Sequence, residues 1–332
     1  MSMNLKKSAS NTREQYEEQS KKIEEVRKAL SPIPEKLSKF CSDSSTARYL
    51  RARNWHVKKA TKMMKESLKW RLEYKPEKIR WEDIASEADS GKIYRSTSVD
   101  KKGRPILVMR PSRENSKSVA GQIRYLVYCM ENAILNLPPD QEQMVWLIDF
   151  WNFSITNVSF KSAKETAHVL QNHYPERLGI AILYNPPRFF EQFYKVVKPF
   201  LEPKTRNKVK FVYADDMNSK KIMEELFDME QLESCFGGKR TESFDIQKYA
   251  QRMKEDDEKM RSFWDDADGA SVTSDVNGLI NHECSTSDDD DLSQQSNGRR
   301  TPPSAEGSAA TISDVTLSVA TMNLKDAGDA KA

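Results

Sequence analysis

Cysteine is scarce: Cys41, Cys129, Cys235 and Cys284 stand far apart in 332 residues, with no Cys-x-x-Cys pair. That spacing argues against a disulfide framework or a thiolate zinc site and favours a reducing compartment. No run approaches the ~18 apolar residues of a membrane-spanning helix, so any membrane contact is expected to be peripheral. The opening Met-Ser-Met-Asn-Leu-Lys-Lys has no apolar signal region, and a cytoplasmic location with transient membrane association is expected. Enzyme fingerprints are missing as well: there is no GxxxxGK[ST], GxGxxG, HExxH or GxSxG. Cys235-Phe-Gly-Gly-Lys-Arg240 is reminiscent of a phosphatase loop but has one residue too few between Cys and Arg. His56, His168 and His173 have no nucleophile or metal-ligand partner at a meaningful spacing. Neither catalysis, nor a cofactor, nor a metal is expected.

What is present is charge, unevenly distributed. Asp265–Ala332 holds 13 acidic and 4 basic residues, leaving 49 basic against 37 acidic before it. The basic part favours partners carrying phosphate, whether nucleic acid or an anionic membrane surface. The acidic part is rich in Ser, Asp, Gly and Ala, has no apolar period, and reads as a disordered tail. Within it Ser285, Thr286 and Ser287 each have an Asp three residues later, a pattern suited to acid-directed kinases. An inert linker is the plainer reading of the same residues.

The apolar periodicity predicts an α/β chain. Residues 1–34 read as a polar extension with one short helix over 13–30. Residues 35–80 read as a helical block, with helices near 44–53 and over 57–74, where Val57, Ala60, Met64, Leu68 and Leu72 recur every three or four positions. From about 92 strands alternate with helices: Ile93-Tyr94, 105–109, a helix over 118–137, then the continuously apolar Met144–Asp149. A helix ending near 173, with Ser162 and Glu165 spaced as a capping box, precedes strand 179–184, helix 188–201, strand 209–213 and helix 218–227. That rhythm predicts a mainly parallel sheet over 81–245, followed by a helix over 246–264.

Residues 172–209 combine two opposed chemistries. Glu176, Thr205 and Lys208 are polar groups suited to gripping a phosphorylated or hydroxylated head. Between them Phe189, Phe190, Phe193, Tyr194, Val196, Val197, Phe200 and Leu201 form two adjacent apolar stripes, wider than one sheet contact demands. Plain core is one reading of those stripes; the wall or gate of a lipid site is the other. Nearby Lys195, Lys198, Lys204, Arg206 and Lys210 add a basic cluster, and Lys58, Lys59, Lys62, Lys65 and Lys69 crowd another helix, where a solvated face is the plain reading. Aromatic and basic residues together also describe a single-stranded nucleic-acid platform. Such a platform sets its aromatics along strands, whereas here they lie on a helix, so nucleic acid is not expected.

Six motifs then fall in one order. Leu50-Arg-Ala-Arg-Asn-Trp55, Asp100-Lys-Lys-Gly-Arg-Pro105, Leu147-Ile-Asp149, Asn172-His-Tyr-Pro-Glu-Arg177, Asn185-Pro-Pro187 with Lys198-Pro-Phe-Leu201, and Phe236-Gly-Gly-Lys239 resemble the CRAL-TRIO lipid-transfer family over roughly residues 35–245. The resemblance implies a mixed sheet flanked by helices and enclosing a lipid cavity, in a monomer. In phosphatidylinositol-transfer members, four positions hold the inositol phosphate; they fall on Arg53, Glu176, Thr205 and Lys208. Phe189, Phe190, Phe193, Val197 and Phe200 would form the gate helix and cavity wall, with Met144 and Trp146 on the floor. Asn54 stands where the family usually has Lys. Members carrying a choline lipid have Ser, Thr and Tyr at positions matching Met144, Trp146, Ser96 and Leu107, so phosphatidylcholine is not the expected second ligand. The implied function is binding and transfer of phosphatidylinositol or a related phospholipid. A carrier or sensor of another hydrophobic ligand, such as a sterol or tocopherol-like molecule, is the alternative.

Overall fold

The computed structural model describes residues 2–154, 159–191 and 207–265. Helix α1 (Ser2–Leu30) starts earlier than the expected 13–30, and Pro32 and Pro34 stop it. Its far end is not a free extension: Val26 and Leu30 are buried beside Leu50, Met64 and Leu68. After the single-turn α2 (Glu35–Ser38) come α3 (Asp43–Ala52) and α4 (Val57–Tyr74). His56 caps α4 by accepting from Lys59 N, and left-handed Lys75 followed by Pro76 ends it. The apolar stripe read from the sequence therefore faces the core of this block, while Lys58, Lys59, Lys62, Lys65 and Lys69 are exposed. Helix α5 (Trp81–Ala88) had no forecast, and it is tied down by Trp81 N donating to Asp257 at 2.7 Å.

Five strands follow: β1 (Ile93–Val99), β2 (Pro105–Met109), β3 (Met144–Asp149), β4 (Leu178–Tyr184) and β5 (Val209–Val212). They lie side by side in chain order; β1 is antiparallel to β2 and the other pairings are parallel. Helix α6 (Val119–Leu135) links β2 to β3, and α7 (Phe160–His173) links β3 to β4. Right-handed crossovers between strands laid down in sequence put every connection on one face of the sheet. Thus α6 and α7 share a side. Arg95, in the row Arg95–Leu107–Trp146–Ala181–Val209, marks that side by donating to Asn132 of α6 at 2.7 Å.

The opposite face has its own cover. Tyr94 and Tyr184 project there: Tyr94 donates to Glu233 at 2.7 Å and its ring meets Phe244, while the Tyr184 ring lies 5.2 Å from Phe236. These partners come from the segment after β5, which includes α8 (Met217–Leu226). Helix α9 (Ile246–Asp265) closes the described chain, and Asp256 accepts hydrogen bonds from Arg95 and Asn132.

One forecast cap is corrected. Ser159, not Ser162, caps α7 by accepting from Ser162 N, and Ser162 sits inside the helix with its hydroxyl on Gln122. Both serines stand near the start of the apolar period, and only the backbone reveals which is extended. Residues 188–191 are helical; the remainder of the forecast helix 188–201 lies outside the described residues.

Candidate functional site

Two ends of the crossover face differ in chemistry. At the N-terminal edge of the parallel strands, the Tyr174-Pro-Glu-Arg turn leads into β4 and Lys208 leads into β5. Pairing of these strands, with Ala181 N donating to Lys208 O at 2.7 Å, brings the two segments together. Glu176 adopts a left-handed backbone with φ 58°. That conformation is unfavourable for a side chain of this kind and marks a position set by its surroundings. It delivers the carboxylate to Lys208, whose Nζ lies 3.3 Å from Oε2, with both side chains about four-fifths buried. In such a pair the carboxylate can accept from hydroxyls while the ammonium donates to a phosphate.

The other two residues expected to hold a head group are placed differently. Arg53 ends α3, half-buried, with its guanidinium 3.0 Å from the Ala52 carbonyl and no hydrogen bond to Glu176 or Lys208. Its helix is nonetheless fixed near the turn: Tyr49 donates to His173 O at 3.4 Å, and Arg48 and Arg51 both reach Glu142. Thr205 lies outside the described residues, as do Phe193, Val197 and Phe200.

At the C-terminal edge the chemistry is aromatic. Phe190 is buried and stacks on half-exposed Phe189, 4.7 Å between ring centres. Phe150 and Phe153, from the turn after β3, pack on Phe190 at 5.2 and 5.8 Å. Trp151 between them is 72% exposed. These three were not singled out from the sequence, though Phe-Trp-Asn-Phe directly after a continuously apolar strand was a signal to follow.

Between the two edges runs an apolar surface. Ile93, Met109, Ile148, Leu183 and Phe211 form one registered row across all five strands, and all but Leu183 are only half-buried. The adjacent row contains Trp146, whose indole N–H is buried without a hydrogen-bond partner among the described residues. Met144, two residues earlier on the same strand, is fully buried. An indole donor usually finds an acceptor when buried. Here it stands free on the crossover face.

The cysteine reading resolves differently. Cys235 has Arg110 beside it, Nη2 to Sγ 3.3 Å, whereas Arg240 pairs with Glu233. Desolvation pushes the thiol up to about 11, so it is not an activated thiolate at neutral pH.

A sequential, mostly parallel sheet with crossover helices α6 and α7 on one face, polar at one edge and aromatic at the other, defines a class of α/β ligand-binding domain. The "CRAL/TRIO domain" model matches residues 89–238 and the "CRAL/TRIO, N-terminal domain" model matches 22–66, together more than half of the chain. The chain belongs to the CRAL/TRIO family. It is 37% identical over 209 residues to a CRAL-TRIO domain-containing protein of Schizosaccharomyces pombe, covering 63% of this chain and 20% of that protein. Phosphatidylinositol transfer protein PDR17 of Saccharomyces cerevisiae is 34% identical over 49% of this chain and 50% of its own length. Phosphatidylinositol transfer protein CSR1 of Eremothecium gossypii is 31% identical, over 61% and 48%. The chain thus spans a fifth to a half of these curated relatives. The crystal structure of Sfh5 has the same fold, with TM-score 0.54 at 17% identity, over 70% of this chain and 91% of that one. No helix among the described residues is long and apolar enough to cross a membrane.

Proposed function

We propose that this protein binds phosphatidylinositol and transfers it between membranes, without covalent chemistry. The observation that carries the reading is the Glu176–Lys208 pair at one edge of a sheet face crossed by an apolar row. Lys208 would meet the phosphate, Glu176 the inositol hydroxyls, and Arg53 and Thr205 would complete the grip. The relatives named as phosphatidylinositol transfer proteins support this choice of head group.

Dimensions support it too. β4 has seven residues, about 23 Å at ~3.3 Å per residue, whereas one leaflet of a ~30 Å hydrocarbon core is about 15 Å deep. A lipid head held at the Glu176 edge would therefore have its chains covered along the strands up to the Phe150–Phe190 cluster. Exposing each CH₂ to water costs about 0.8 kcal/mol, so two bare acyl chains could not cross water at a useful rate. An apolar sheet face would supply part of the necessary cover, and the Phe-rich connection, as a gate, would supply the rest and open on the bilayer to let lipid in. Partnerless Trp146 N–H offers a donor to a lipid oxygen lying against the floor.

The test is transfer of labelled phosphatidylinositol between vesicles. Glu176→Ala with Lys208→Ala is expected to abolish transfer, while the Tm shifts little because both charges go together and neither is left unpaired. Undiminished transfer in the double variant would overturn the assignment. Mass spectrometry of lipid co-purified from cells separates the alternative: a sterol or tocopherol-like ligand with no inositol lipid would reassign the site to a neutral cargo.

A further inference from the structure

A separate cleft of about 390 Å³ opens where the helical block meets the sheet domain. It lies beyond the 174–177 turn from the head-group edge: Glu176 turns toward Lys208, and the next residue, Arg177, lines this cleft. Its walls come from the start of α3, the loop before β3 and the turn itself, joined by Arg71 of α4, Glu131 of α6 and Trp264 of α9. They are held in place by the Arg48 and Arg51 contacts to Glu142.

The charges here do not balance. Three guanidinium groups meet Glu142: Arg48 and Arg51 take both carboxylate oxygens, leaving Arg177 only the backbone carbonyl, at 3.0 Å. Among the described residues Arg177 has no ion pair. Burial, reinforced by the like charge of Arg48, brings the Arg177 guanidinium down to about 10. The other buried carboxylate lining the cleft, Glu131, is already neutralised by a two-pronged pair with Arg71, and Asp140 is exposed at the rim. An independent observation points the same way. Ser45 lines the cleft, is 1% exposed, and its hydroxyl has no hydrogen-bond partner. A buried hydroxyl without a partner and a sheltered cation without a counter-ion are each unfavourable, and one anion would satisfy both.

We propose that this cleft is a second binding site, for the phosphate of a small phosphomonoester. Arg177 presents its fork to two phosphate oxygens, and Ser45 donates a hydroxyl to a third. The volume lies at the lower end of the range for small-molecule sites, large enough for a phosphorylated compound of sugar or glycerol size. The site is independent of the phosphatidylinositol reading, because it shares neither Glu176 nor Lys208.

Calorimetric titration of the full chain with inorganic phosphate and with glycerol 3-phosphate, at constant ionic strength set by chloride, tests it. A saturable heat with one site per chain is expected. Arg177→Gln is expected to weaken binding at least tenfold and Ser45→Ala about threefold, each variant keeping its thermal midpoint. The Glu176→Ala, Lys208→Ala double variant is expected to bind phosphate as the parent does; loss of binding there would place the anion at the head-group edge and overturn the second site. A flat titration, or equal binding by Arg177→Gln, would overturn it as well. A competition arm identifies the source: vesicles containing phosphatidic acid that displace glycerol 3-phosphate assign the phosphate to a lipid head, and failure to displace assigns it to a soluble compound.

Discussion

His173 lies flat against Trp70, 4.1 Å between ring centres, with Ser67 Oγ 3.2 Å from its Nδ1. Burial, helped by His168 and the Arg71 charge, lowers its pKa to about 4. A histidine whose folded pKa lies below its unfolded value of ~6.5 favours the native state only while neutral. That stability is complete above about pH 6.5 and is lost as pH falls toward 4. At pH 5 the loss is about 2 kcal/mol by linkage. Urea unfolding at pH 7 and pH 5 reads it directly. The parent is expected to lose about 2 kcal/mol more than His173→Phe, which keeps a ring against Trp70. Equal losses in the two proteins would show that other groups carry the acid sensitivity. The residue matters beyond stability, because Tyr49 and Ser67 hold the 172–173 backbone that launches the Glu176 turn. Acidification should therefore loosen the placement of the head-group residues before it melts the sheet.

Among the elements, α1 illustrates how packing overrides polarity. It is charged along most of its length, yet Val26 and Leu30 reach the core shared by α3 and α4. Leu30→Ala, at a side chain 2% exposed, is expected to cost about 2–5 kcal/mol in urea denaturation. A cost below about 1 kcal/mol would show that the helix end contributes little to that core. Elements with a strong period were legible from the sequence: α4 and β3 fall on the forecast residues because five apolar positions at helical spacing, or five in a row, leave little choice. Helix α5 was not legible. Its eight residues are too few to show a period, and its anchor, Asp257, lies far away in the chain. At the candidate site the residue types of Glu176 and Lys208 were legible through the family motif, but their contact was not. It depends on one left-handed residue and on β4–β5 pairing, neither of which leaves a mark in composition. The Arg177 cleft was hidden for a similar reason, since its walls come from segments scattered between Lys39 and Trp264.

At the scale of the whole molecule, charge is divided between two regions. Residues 1–264 carry 49 basic and 37 acidic side chains, and the remainder 4 and 13. Five exposed lysines on α4 make part of the basic surface concrete: Lys58, Lys59, Lys62, Lys65 and Lys69 all face solvent. Each basic residue near an anionic bilayer is worth about 1 kcal/mol, and a tethered acidic segment at high local concentration competes for the same cations. Phosphate on Ser285, Thr286 or Ser287 would strengthen that competition by adding charge. Truncation after Trp264 is therefore expected to tighten binding to vesicles containing anionic lipid about fivefold or more, equal to roughly one lysine of recovered attraction. Salt supplies the control. The Debye length shrinks from ~10 Å at 0.1 M to ~3 Å at 1 M, so the difference between the full and truncated chains should vanish in high salt if it is electrostatic. Sedimentation with vesicles at both salt concentrations decides the matter. Equal partitioning at low salt would leave the acidic segment without a role at the membrane, whereas a difference that persists in high salt would require an apolar contact instead.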